Sequence, residues 1–252
     1  MLANFIYFGE IMEQRENRSK TIVLLIIVIG ALVAFGFIGY KFFMVEKVTI
    51  KGNSYYSSEE IADLAAIPMN THVFTLDKDQ VKSNIEADPR VIVESIDYDF
   101  PNAITINVKE RIPAAVADSG EGVLILSNDM IVIETGSGDT EDVPKLTGLT
   151  VEDAQLGSKL EADDPHKVSM ASEIVTAALH EGVLDKYESI DLSDTNKVMI
   201  DSKAGFQINF GQGDNYAEKT GWISKMLDSL AKETVKTGTI DVSSGKFATF
   251  RP

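Results

Sequence analysis

Residues 21–40 read TIVLLIIVIGALVAFGFIGY, an unbroken run of 20 residues without a charge. Wound as an α-helix at ~1.5 Å per residue, such a run reaches ~30 Å, the hydrocarbon thickness of a bilayer. A buried core helix would rarely stay uncharged over this length with basic residues at both ends. A cleaved signal peptide would be shorter, and the one passable small-x-small site is Ala34-Phe-Gly36. The run is therefore read as an uncleaved transmembrane helix over 21–40, preceded by a lead over 1–20. Arg15, Arg18 and Lys20 precede it, and Lys41 and Lys47 follow it. That bias predicts a single-pass type II protein, with the N-terminus cytoplasmic and the remainder outside.

Charge narrows the choice of partners. The formal net charge is −16, and residues 1–43 hold four basic and three acidic residues, so the other 209 carry −17. Such a surface repels phosphate backbones, and nucleic acid is not expected as a partner. With no cysteine in the chain, disulfides, thiolate chemistry and cysteine zinc sites are excluded.

Two units follow the span. In the first, over 44–111, VEKVTIKG alternates as a strand and ends at Gly52. Ser57 and Glu60 have capping-box spacing, and Ile61, Leu64 and Ala65 share one helical face that Pro68 should close. Asp77 and Gln80 repeat the device ahead of Val81 and Ile85. RVIVESIDYDF and AITINVKER alternate on either side of Pro101-Asn102 and read as a hairpin. The order strand, helix, helix, strand, strand predicts two helices on one face of a three-stranded sheet.

The second unit, over 112–252, opens with GVLILS and MIVIET around Asn128-Asp129, a hairpin signal that makes Ser127 look like an accessible loop position. GSGDTED, residues 136–142, reads as an acidic loop. Pro165 begins a helix with Val168, Ala171, Val175 and Ala178 on one face. Strands are predicted at YESIDLS, KVMIDS and FQINFG, then a helix burying Ile223, Met226, Leu227 and Leu230. GTIDV and KFATF complete the chain as strands. The fold class is α+β: a transmembrane helix, a βααββ domain, and a mixed α/β domain with a C-terminal edge strand.

Residues able to do chemistry are few. His72, His166 and His180 stand at no ligand spacing, so no metal site is expected. Asp97-Tyr-Asp99 ends a strand and reads as solvated charge. Gly245-Lys246 lacks the upstream glycine and the Ser/Thr of a phosphate loop. Neither a nucleophile elbow nor a dinucleotide glycine pattern occurs, and Trp222 reads as packing beside Met226. No catalytic residue and no cofactor are expected. A carboxylate pair acting on carbohydrate would leave no linear signature, so a membrane-anchored cell-wall enzyme with a small accessory domain stands as the alternative to a binding protein. A component of an outer-membrane assembly machine would need a barrel of alternating strands or a cleaved signal.

A short lead, one span, then VEKVTIKGNSYYSSEEI and AITINVKERIPAAV resemble the start of the FtsQ/DivIB family of bacterial cell-division proteins. VPKLTGL, the late amphipathic helix and GTIDV resemble the rest. Ser243 and Ser244 stand where the family often has a basic residue. The resemblance implies a POTRA domain over 44–111, a β-domain over 112–252 and a non-enzymatic scaffold role at the division septum. It implies partners of the FtsL and DivIC/FtsB kinds, single-span proteins with extracytoplasmic coiled coils, together with the septal wall-synthesis complex. It also points to the closing strand, Phe247, Ala248, Thr249, Phe250 and Arg251, as the edge where a partner segment adds by backbone hydrogen bonds. That strand carries two apolar rings with no tail to cover it.

Overall fold

The computed structural model describes residues 2–68, 71–120, 122–136, 142–233 and 235–252, with backbone alone over 2–19. Helix α1 runs unbroken from Leu2 to Phe42. Within it, Lys20–Phe42 is long and apolar enough to cross a membrane. Its 23 residues span about 34 Å at the helical rise.

The chain divides into two compact units. One is Met1–Lys82 with Glu94–Asn107, and the other is Ser83–Val93 with Val108–Pro252. The dividing line thus runs through the βααββ region rather than at its end.

That region has the predicted order: β1 (Lys47–Lys51), α2 (Ser58–Ala65), α3 (Lys78–Ile85), β2 (Val91–Asp99) and β3 (Ala103–Glu110). The strands lie in the order β1-β3-β2, with β1 parallel to β3 and Ile50 opposite Ile106. The capping box forms: Ser57 Oγ accepts from the Glu60 N–H at 3.2 Å, and Glu60 Oε2 accepts from the Ser57 N–H at 2.8 Å. The end of α2 differs from expectation. Ala66 stops it in the left-handed region, φ 47°, with its N–H on the Asp63 carbonyl, two residues before Pro68. Asp77 caps α3 by accepting from the Asp79 and Gln80 N–H groups. Val81, Ile85, Ile104 and Ile106 are buried. A 3-10 turn, Val73–Thr75, precedes α3.

The second unit is built on a sheet of nine strands among the described residues. In chain order these are β4 (Ala115–Asp118), β5 (Val123–Leu126), β6 (Val132–Gly136), β7 (Lys145–Thr147), β10 (Tyr187–Asp191), β11 (Val198–Ser202), β12 (Phe206–Gly211), β13 (Gly238–Asp241) and β14 (Thr249–Arg251). Across the sheet they run β14-β13-β12-β11-β10-β7-β4-β5-β6. Two strands, β8 (Val151–Asp153) and β9 (Glu161–Ala162), pair separately. Helices α4 (Pro165–His180) and α5 (Tyr216–Leu230) contact each other, and their buried faces share one core with the large sheet. Met226 and Trp222 pack at its margin. Ser83–Val93 belongs here through Arg90, whose guanidinium meets Glu134 at 2.6 Å, and through Arg111, which donates to the Pro89 carbonyl at 2.8 Å.

Two local readings change. The β5–β6 connection spans Ser127–Ile131 rather than two residues. Met130 turns it in the left-handed region and is itself buried. Ser127 is fully buried, its Oγ accepting from the Ile131 N–H, so it is not an accessible position. The acidic loop read over 136–142 falls largely on residues 137–141, outside the described residues.

Candidate partner-docking edge

Strand β14 lies at one end of the nine-stranded sheet, paired antiparallel with β13 alone among the described residues: Asp241 faces Thr249, Ile240 faces Phe250, and Thr239 faces Arg251. β13 in turn lies parallel to β12, with Ile240 opposite Ile208. Both isoleucines are fully buried. The edge is thus a three-residue strand resting on a solid core.

The five candidate residues have distinct positions. Phe247 precedes the strand and is 56% exposed. Ala248 also precedes it and packs partly against the core. Thr249 and Arg251 are exposed, and Phe250 between them is half-buried. The Phe250 ring meets Phe206 edge-on, centroids 6.0 Å apart. Strand alternation explains this split, because successive side chains leave opposite faces of the sheet. The strand is shorter than KFATF suggests, beginning at Thr249 rather than Lys246.

The turn entering this edge is a built feature. Asp241 Oδ1 accepts from the Ser243 N–H at 3.0 Å and from its hydroxyl at 2.7 Å, while Oδ2 accepts from Asn209 at 3.0 Å. Burial pushes the Asp241 carboxyl up. The Ser243 bonds, the Asn209 bond and the nearby Arg251 charge outweigh that and hold it below the usual carboxylate range. Gly211, φ 76°, lets the turn approach, since a Cβ there would lie 2.7 Å from Ser243 Cβ. Ser243 is therefore occupied in folding the turn. The same device closes β10, where Asp191 Oδ1 accepts from Ser193 N–H at 2.9 Å and Oγ at 2.6 Å. The sequence echo IDLS and IDVS could have revealed it. Beyond Ser243, Ser244 Oγ accepts from the Lys246 N–H at 3.3 Å.

Support behind the edge includes a fully buried lysine that sequence reasoning missed. Lys219 Nζ donates to the Gln212 carbonyl at 2.8 Å, pairs with Asp214 and sits 5.0 Å from the Phe210 ring centroid. The bond from Lys219 holds the Asp214 carboxyl below its usual range. With its charge matched and its protons directed, Lys219 fixes the loop between β12 and α5. Among the described residues no cluster of His and acidic side chains could hold a metal ion.

Comparison with known proteins agrees with the architecture. The description of the POTRA domain of FtsQ type matches residues 43–111. Cell division protein DivIB of Clostridium botulinum (strain Hall) is 26% identical over 93% of this chain and 91% of its own length. Cell division protein FtsQ of Streptomyces venezuelae is 25% identical over 89% of this chain and 79% of its own. The solved major extracytoplasmic domain of the trans isomer of DivIB from Geobacillus stearothermophilus covers 50% of this chain at 15% identity and a TM-score of 0.34, too loose to carry weight. Residues 43–111 thus match a POTRA domain of the FtsQ type, and most of the chain is similar in sequence to the cell-division proteins DivIB and FtsQ.

Proposed function

We propose that this protein is a non-enzymatic, membrane-anchored scaffold of the bacterial division septum. Its lead over 1–20 lies in the cytoplasm, the span crosses the membrane once, and a POTRA domain (44–111) and a β-domain (112–252) lie outside. The β-domain binds FtsL-like and DivIC/FtsB-like single-span proteins, and β14 takes a segment of the latter as an added strand. The observation that carries this reading is the succession of a candidate span, an FtsQ-type POTRA match and a mixed sheet ending on an edge, in a chain similar to division proteins along most of its length. Phe247 and Phe250 supply apolar surface beside the exposed backbone of that edge, and β-augmentation draws its affinity from such a pairing.

The full chain, purified in detergent, should retain a DivIC/FtsB-like protein from the same cell. Phe247→Asp should sharply weaken that capture while leaving the melting temperature unchanged, because the ring is exposed and outside the strand. Equal binding by parent and variant would remove the edge from the interface. Release of soluble fragments from purified wall polymer would instead favour an enzyme.

A further inference from the structure

We infer that the first unit carries its own membrane-contacting surface: the aromatic side chains Phe74 and Phe100 sit in the headgroup–acyl boundary of the bilayer that α1 crosses. The inference rests on the spanning role proposed above, not on which side of the membrane the unit lies.

The 23 residues Lys20–Phe42 extend about 34 Å, against about 30 Å of hydrocarbon, so the last turn enters the interfacial layer. The chain leaving that turn is pinned to two loops by backbone hydrogen bonds. The Val73 N–H donates to the Phe43 carbonyl at 2.9 Å, and the Val45 N–H donates to the Thr71 carbonyl at 2.9 Å. The Glu46 N–H donates to the Asn102 carbonyl at 2.8 Å. The 3-10 turn Val73–Thr75 and the β2–β3 turn are thereby fixed beside the first residues after the span.

Both loops carry a phenylalanine at that level. The Phe43 ring lies 5.4 Å from Phe74 and 6.5 Å from Phe100, and Phe74 and Phe100 lie 5.5 Å from each other. Tyr40, in the last turn of α1, stacks on His72 at 4.8 Å. A buried cluster would hide these rings, yet Phe74 and Phe100 are 61% and 58% exposed. Tyr40 and Phe42 are likewise exposed, continuous with the uncovered apolar surface of the span. An apolar surface joined without a break to a transmembrane segment meets the same solvent as that segment. Aromatic rings at this depth form the belt that membrane proteins place at the interface. Lys41, in the last turn of α1 and 5.6 Å from the Phe37 ring centroid, places a cation at the same level, where long side chains reach headgroups. Two rings on separate loops, added to the helix, would restrict how far the POTRA domain can tilt on its anchor.

The chain has no cysteine, so single spin labels report unambiguously. The full chain would be reconstituted in phosphatidylcholine vesicles with a nitroxide at Phe74→Cys, Phe100→Cys or Thr75→Cys, the last keeping both rings. Leu32→Cys in the span and Glu59→Cys in the first turn of α2 serve as references. Accessibility to oxygen is compared with accessibility to a water-soluble nickel chelate. The ratio at 74, 75 and 100 should exceed that at 59 several-fold and fall below that at 32. Values equal to that at 59, with 32 lipid-like, would overturn the inference and leave the spanning role intact. Exclusion of both reagents at 74 and 100 would overturn it in favour of a protein contact. A water-like value at 32 would remove the spanning role and this inference with it.

Discussion

The Phe250 ring closes over the bare α-carbon of Gly238: a Cβ on Gly238 would lie 2.6 Å from both ring atoms Cε2 and Cζ, and 2.6 Å from the Arg251 carbonyl oxygen. The last strand is thus seated on the first residue of its neighbour. Gly238 also has φ 149°, a conformation that side chains resist. Gly238→Ala should cost about 1–3 kcal/mol, the usual cost of forcing extra volume into a packed site. The loss should concentrate in β14, with faster amide exchange at 249–251 than elsewhere in the sheet. Uniform exchange with an unchanged melting temperature would show that the strand tolerates the added methyl.

Ile85 tests the POTRA domain. The side chain is fully buried one turn after Val81, also buried. Ile85→Asp leaves a carboxylate with no partner in that core and should cost about 3–5 kcal/mol, a large share of a small domain's stability. Hydrogen exchange over 43–111 in the full chain should rise strongly. A variant that melts cooperatively at the parent's temperature would mean the Ile85 side chain can turn to water.

Much of this was legible because local chemistry and tertiary fold agree. The Ser57–Glu60 box, the Pro165 start of α4 and the apolar faces at Val168–Ala178 and Ile223–Leu230 all stand as their spacing predicts. The strands that went unseen are β4, β7, β8 and β9, of two to four residues each, too short for a period of two to emerge. One of them matters most. β7 lies between β10 and β4 and joins the two parts of the large sheet, with Leu146 buried opposite Ile190. Its sequence, KLT, shows alternation too brief to distinguish from a loop. Lys219 stayed hidden for a different reason: a lysine on an amphipathic helix reads as solvent-facing, and only the fold brings Asp214 and the Gln212 carbonyl to its ammonium. At the candidate edge, the apolar residues and the position of the strand were readable. Its start at Thr249 was not, because the Ser243–Lys246 turn consumes residues that have strand-like neighbours.

Asp241 makes the edge sensitive to acid. Burial opposes its charge, but the Ser243 and Asn209 hydrogen bonds and Arg251 prevail, so its folded pKa lies below the unfolded value. The sign follows from linkage. A depressed carboxylate adds stability above the unfolded pKa, about 3.9, and that contribution disappears as pH falls through the folded value. Urea unfolding of the parent should lose this contribution below about pH 4. The D241N protein should be less stable at neutral pH, with a shallower acid dependence. The same slope in both proteins would place the titration elsewhere, for example on Asp214 or Asp129, whose carboxyls are also held low.

Orientation can be tested with the same absence of cysteine. Ser19 immediately precedes Lys20, where the apolar stretch begins, and Glu59 is exposed beyond β1. Ser127 would be a poor reporter, since its side chain is sealed in the core and would stay silent on either side of the membrane. In intact cells with a permeable wall, Glu59→Cys should react with a membrane-impermeant maleimide, and Ser19→Cys should react only after lysis. The expectation rests on Arg15, Arg18 and Lys20 before the span against Lys41 and Lys47 after it, a modest bias toward a cytoplasmic N-terminus. Reaction at 19 and protection at 59 in intact cells would invert the protein. The POTRA domain and the β14 edge would then face the cytoplasm, and docking to extracytoplasmic partner segments would be ruled out even if Phe247→Asp had weakened capture in detergent.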